Sequence, residues 1–164
     1  MTTFAGERPS GTKKQIYAEL SLMAKGLFQG ERDAIANAAN LSALLFMGLA
    51  DLNWAGFYLL RGEGLVLGPF QGRPACVRIE MGKGVCGTAA QSREIVVVPD
   101  VEKFPGHIAC DAASKSEIVL PLMRAGRLIG VLDLDSPKLA RFDQDDANGL
   151  EALTALWVAA SGPL

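Results

Sequence analysis

The sequence predicts an α+β fold: a central antiparallel sheet of about six strands, with helices from the two ends of the chain packed on one face. Three observations predict it. Helical periodicity is confined to two stretches near the N-terminus and one at the C-terminus. Between them the apolar residues switch to short runs of strand length,. Two pairs of these runs are joined by only three residues, Arg61-Gly62-Glu63 and Arg124-Ala125-Gly126. Such short connections imply antiparallel neighbours, because a parallel crossover takes about a dozen residues or more. Segregated helices and strands of this kind build a sheet with helices on one side.

Taken in order, residues 1–11 read as a flexible arm, rich in Gly, Pro and Ser and without periodicity, and residues 12–164 as one domain,. From Thr12, the residues Ile16, Leu20, Met23, Leu27 and Phe28 recur at helical steps, and Gly30 marks the end,. A second helix spans about Asp33 to Phe46. Trp54–Leu60 and Gly64–Phe70 form a hairpin,. Ala75–Glu80 alternates, with Val77 and Ile79 on one side and Cys76, Arg78 and Glu80 on the other, as a strand would,. Glu94–Val98 is a strand stopped by Pro99. Glu117–Met123 and Arg127–Asp135 form a second hairpin. A helix from about Asp143 closes the chain, with Leu150, Leu153, Leu156 and Trp157 on its apolar side.

The totals narrow the function. A chain of 164 residues, 49% hydrophobic and 21% charged, can bury a single core without disulfide or metal staples,. Net charge is −2, and no basic cluster offers a nucleic-acid footprint,. No segment has the apolar length of a membrane span, and the N-terminus lacks the pattern of a secretory signal,. The expected compartment is a reducing cytoplasm. There, three cysteines are redox-active, metal-binding or simply buried rather than permanently bridged.

Gly82-Lys83-Gly84-Val85-Cys86-Gly87 matches a dinucleotide-loop pattern. The next strand follows too closely for a βαβ unit, so the segment reads as a glycine-rich turn leading into a short helix. The three cysteines are Cys76, Cys86 and Cys110. With His107 they offer a conceivable zinc set, but the close pair usual in such sites is missing. Cys110 lies in a Pro- and Gly-flanked loop, where reactive residues tend to be displayed.

The acidic residues are more pointed. Asp133 and Asp135 stand two apart in a strand and therefore face one way,. Glu117 starts the preceding strand, and a hairpin brings that start near the end of the next. The three carboxyls either form a solvated strand end or a cap for the next helix, or converge on one site, where like charges in close quarters raise at least one pKa. Trp54 and Tyr58 share one face of their strand, as core residues or as a pocket wall fit for a cationic group,.

These segments together resemble the free methionine-(R)-sulfoxide reductases, a GAF-domain enzyme family. The resemblance rests on Asn53–Tyr58, Gly68–Cys76, Gly84–Ala90, Val98–Val101, Phe104–Asp111, Ser116–Val119 and Gly130–Pro137. It implies a GAF-like fold and reduction of free L-methionine (R)-S-oxide to methionine. Glu117, Asp133 and Asp135 would hold the ammonium and the sulfoxide oxygen, and Trp54 and Tyr58 would wall the thioether end. Backbone N–H groups near Ser116 and Glu117 would take the carboxylate. A cysteine thiolate would attack the sulfoxide sulfur, with Cys110 attacking, Cys76 resolving and Cys86 as second resolver or relay; the roles of Cys86 and Cys110 are exchangeable. Thioredoxin, recharged by NADPH elsewhere, would restore the thiols, with no bound cofactor or metal. A homodimer is compatible with the resemblance. The alternatives are a non-catalytic GAF module sensing a small ligand, which three acids in the pocket disfavour for a phosphate, and a structural zinc protein.

Overall fold

The structure is a computed structural model that describes residues 7–108 and 111–164. Helix α1 spans Lys13–Phe28 and α2 spans Ala34–Gly48. The first turn of α1 is closed by a capping box. The Thr12 side chain accepts from the Gln15 N–H, and the Gln15 side chain accepts from the Thr12 N–H, so two otherwise unpaired donors are satisfied reciprocally. Asp33 caps α2 alone, accepting from the N–H groups of Ile35 and Ala36. Within the arm, Pro9 is buried and the Arg8 Nε–H donates to the Met47 carbonyl at 3.0 Å.

Strands β1 (Trp54–Arg61) and β2 (Gly64–Gly72) form the expected hairpin, followed by β3 (Arg78–Glu80). Helix α3 (Gly84–Ser92) and β4 (Val96–Val98) come next, then a 3₁₀ turn at Val101–Lys103. Strands β5 (Ser116–Arg124) and β6 (Arg127–Ser136) make the second hairpin, and α4 (Gln144–Ala160) ends the fold, capped by Asp143. The expectation of a strand over Ala75–Glu80 is corrected at its start. Gly72 takes a φ of 127° and Pro74 has no N–H to give,. Residues 73–77 therefore run as a loop in which Val77 is exposed, and Cys76 precedes the strand rather than lying on it. The strand expected over Glu94–Val98 likewise begins only at Val96, because Arg93 ends α3 in the left-handed conformation.

All neighbouring strands are antiparallel, in the order β3-β2-β1-β6-β5-β4. Alternation along the strands gives the sheet two different faces. Ala55, Phe57, Leu59, Ile118, Leu120, Leu122, Leu132 and Leu134 point to α1, α2 and α4, forming the larger core with Leu20, Leu41, Leu150 and Trp157. Each of the Leu, Ile and Phe side chains among them contributes about 1.5–3 kcal/mol by leaving water. The N- and C-terminal helices thus share one face, as expected. The opposite face carries Trp54, Tyr58, Val119 and Val131 and is covered by α3 through Val85, Cys86, Ala89 and Ala90.

Candidate functional site

The residues that interrupt the second face are the acids. In the β5–β6 ladder Glu117 pairs with Asp135 and Val119 with Asp133. On the other side of β6, Trp54 pairs with Asp135 and Gly56 with Asp133. The ladder thus sets Glu117, Asp133 and Asp135 side by side at the end of the sheet where α3 begins.

Helix α3 reaches this spot through its glycines. Gly87 packs so closely that a Cβ would lie 2.3 Å from the Glu80 carbonyl, and Gly84 takes a φ of 59°. The dinucleotide-like pattern is therefore the turn into a short helix that the spacing implied. It seats Cys86 against the sheet, with its thiol facing the Glu117 Oε1 at 4.0 Å.

A cavity lies between α3, the acids and the residues His107, Ile108, Asp111 and Ser114. Trp54 and Tyr58 line it, with ring centroids 5.9 Å apart, and Phe70 stacks behind Trp54 at 5.3 Å. Both aromatic groups are tethered. The Trp54 Nε1–H donates to the Arg73 carbonyl at 3.1 Å, and the Tyr58 hydroxyl donates to the Cys76 carbonyl at 2.9 Å. They are core and pocket wall at once, which resolves the two readings of the sequence.

Electrostatics inside are dominated by removal from water. Burial and the Asp135 charge push the Glu117 carboxyl well up. Burial and Glu117 do the same to Asp133, and burial and Asp133 to Asp135,. Burial, then the neighbouring acids, also raises the Cys86 thiol. His107, the sole histidine of the chain, places its Nε2 3.5 Å from Glu117 Oε2, and burial lowers its pKa. The Asp133 Oδ1 is buried without a hydrogen-bond partner.

Six of the residues picked from the sequence, Trp54, Tyr58, Cys86, Glu117, Asp133 and Asp135, therefore line one cavity. Cys76 lies beside it, disulfide-bonded, while Cys86 carries a free thiol. Cys110 lies outside the described residues; Ile108 and Asp111, on either side of it in sequence, both line the cavity. The Ser116 side chain is not brought in. Alternation turns it to the other face, where its hydroxyl donates to the Lys138 carbonyl at 2.6 Å and accepts from the Arg141 N–H,. The structure adds Asp111 and Ser114. Asn53 holds both, its amide donating to Asp111 Oδ2 at 3.1 Å and to Ser114 Oγ at 3.0 Å. The signal available for them was the polar stretch after Phe104, which carries the histidine. Among the described residues, the potential metal donors that converge are Cys86, Glu117 and Asp133, not the cysteine–histidine set considered from the sequence.

Comparison with known proteins agrees with this architecture. Residues 31–160 match the model of the GAF domain. The fold and its enclosed pocket thus define a GAF-domain protein. A free methionine-R-sulfoxide reductase of Escherichia coli K12 is 54% identical over 143 residues, 87% of each chain. One from Saccharomyces cerevisiae is 46% identical, over 88% of this chain and 84% of its own. The X-ray structure of the Neisseria meningitidis enzyme in complex with its substrate superposes with a TM-score of 0.92 at 42% identity, covering 96% of this chain and 95% of that one. The chain belongs to the free methionine-R-sulfoxide reductase family, and it is an enzyme of that type rather than a non-catalytic sensor.

Proposed function

We propose that the protein reduces free methionine (R)-sulfoxide to methionine in the cytoplasm by thiol chemistry, with thioredoxin as its reductant. The observation that carries the reading is the enclosed cavity with tethered aromatic groups on one wall and three crowded carboxyls on another. The ammonium group is drawn to the acids. The Trp54 and Tyr58 rings contact the methyl and thioether end. The substrate carboxylate is left to backbone N–H groups near Ser116 and Glu117. The Ser116 hydroxyl, already committed to Lys138 and Arg141, takes no part.

In the reaction a cysteine thiol attacks the sulfoxide sulfur. The sulfur gains two electrons and is released as the thioether, and the oxygen passes to the cysteine as a sulfenic acid. A carboxyl whose pKa is raised by burial donates to the departing oxygen, a role the reading gives to Glu117,. A second thiol then displaces the sulfenic hydroxyl as water and forms a disulfide. A dithiol reductant reopens it by exchange, supplying two electrons and two protons. Cys110 attacks, Cys76 resolves and Cys86 relays. The specific observation favouring an exchange of Cys110 and Cys86 is the position of the Cys86 thiol, 4.0 Å from Glu117. No resident metal or bound cofactor is required, and the domain works as a homodimer or alone.

The test is NADPH oxidation coupled through thioredoxin and thioredoxin reductase, run separately with the free R and S epimers. Turnover of the R epimer alone is expected. Turnover of neither overturns the reading.

A further inference from the structure

We propose that the inner end of the cavity binds a soft divalent cation of the Zn²⁺ class through the Cys86 sulfur, Glu117 and Asp133, and that this ion and the sulfoxide exclude each other. The site itself stands on geometry; its inhibitory consequence rests on the reductase reading above.

One donor atom from each of the three residues lies within 4.8 Å of the other two, and all three residues are buried. Zinc takes sulfur at about 2.3 Å and carboxylate oxygen at about 2.0–2.2 Å in a tetrahedron, so its ligands stand roughly 3.5 Å apart. The Cys86 Sγ to Glu117 Oε1 distance of 4.0 Å is near that already. Closing the set needs only small side-chain movements.

A second observation points to a ligand. The Asp133 Oδ1 has no hydrogen-bond partner although Asp133 is only 6% exposed and lines the cavity. An unpaired buried acceptor is costly. Among the described residues no Lys or Arg forms an ion pair with Glu117, Asp133 or Asp135. A dication meets both deficits: it gives the orphan oxygen a partner and neutralises the crowded carboxyls.

The donor set selects the ion. Magnesium and calcium take oxygen ligands, whereas one sulfur with two carboxylates suits zinc or cadmium. The fourth position faces the cavity and falls to water. His107, against the Glu117 Oε2, stands as an outer partner of the kind that orients a ligating carboxylate,. Bound there, the ion caps the thiol and fills the space the sulfoxide group needs, making a reversible block.

The probe is Cd²⁺, titrated into the unreduced protein, in which the Cys86 thiol is free. A sulfur-to-metal charge-transfer absorption that saturates at one equivalent and is displaced by Zn²⁺ is expected. Cys86→Ser should lack it, and Asp133→Asn and Glu117→Gln should each weaken binding at least about tenfold, with unchanged circular dichroism. Should Cys86→Ser fail to fold, the two carboxyl variants decide. No absorption at saturating Cd²⁺, or full affinity in both carboxyl variants, overturns the site. Initial rates in buffered Zn²⁺, with thioredoxin and its reductase in excess, should show a raised apparent KM for the sulfoxide that a chelator restores. Rates indifferent to Zn²⁺ at site-saturating concentrations overturn the exclusion. Protein that binds Cd²⁺ normally yet reduces neither epimer without Zn²⁺ upholds the ion site and removes the reductase reading instead.

Discussion

Glu117 and Asp135 face each other directly across the β5–β6 ladder, two carboxyls held as cross-strand partners with Asp133 two pairs further in. Such a pairing destabilises a sheet. It persists here because burial first, and then a neighbouring carboxylate (Asp135 for Glu117, Asp133 for Asp135), raises both folded-state pKa values well above the ordinary carboxylate range,.

The sign of the resulting pH dependence follows. An acid whose pKa is raised on folding contributes stability that is complete below its unfolded pKa, near 4, and is lost as pH rises through the folded value. Thermal melts in chelator-containing buffer should therefore show a stability term that declines with rising pH in the wild type. It should be weaker in Glu117→Gln and in Asp135→Asn. Identical pH profiles in all three proteins would contradict the pairing. Both variants should also lose about 10²–10⁴-fold in kcat/KM with the fold intact.

Replacing the thiols one at a time separates their roles. Cys110→Ser should abolish turnover and, in a single-turnover assay without reductant, yield no methionine. Cys76→Ser should still release one equivalent in that assay but stall in the coupled one. A full equivalent of methionine from Cys110→Ser, with none from Cys86→Ser, would move the attack to Cys86.

Gly87→Ala tests how Cys86 is seated. The added methyl meets the Glu80 carbonyl at 2.3 Å, a backbone atom that cannot yield cheaply. A stability loss of about 1–3 kcal/mol is expected, together with a fall in activity larger than the lost fraction of folded protein explains. Chemical denaturation and initial rates measure the two separately.

A control far from the cavity is Tyr17→Phe. The Tyr17 hydroxyl donates to the buried Asp146 Oδ1 at 2.9 Å, while Lys13 and Arg141 pair with the same carboxylate. Losing one donor to a buried charge should cost roughly 1.5–3 kcal/mol by denaturation, with kcat/KM of the folded enzyme unchanged.

Much of this fold was legible because periodicity and connection length are local signals. Leu20, Leu150 and Trp157 fall in the core, and the short connections fix both hairpins, each turn being one residue tighter than the sequence suggested because Arg61 and Arg124 pair within the strands. The facing of Asp133, Asp135 and Glu117 was equally readable, since strand alternation and a tight turn determine it. What was not readable depends on contacts distant in sequence. Cys76 sits on a loop because Gly72 and Pro74 spoil a strand whose alternation is otherwise sound. The partners of the Ser116 hydroxyl come from 138 and 141, although the alternation that turns it away from the face of Glu117 is itself local. Asp111 and Ser114 join the site through Asn53, a bridge of 58 and 61 positions that no local pattern announces.

Strand β1 is flanked on one side by its hairpin neighbour β2 and on the other by β6, so residues near 55 wait for residues near 134 before the middle of the sheet can close. A chain emerging from the ribosome therefore carries an open edge on β1 until residues 127–136 have been made. Non-local pairing of this kind folds slowly and exposes strand edges to aggregation. Until β5 and β6 dock, Cys86 lacks both the acids beside it and the sheet face that buries its sulfur.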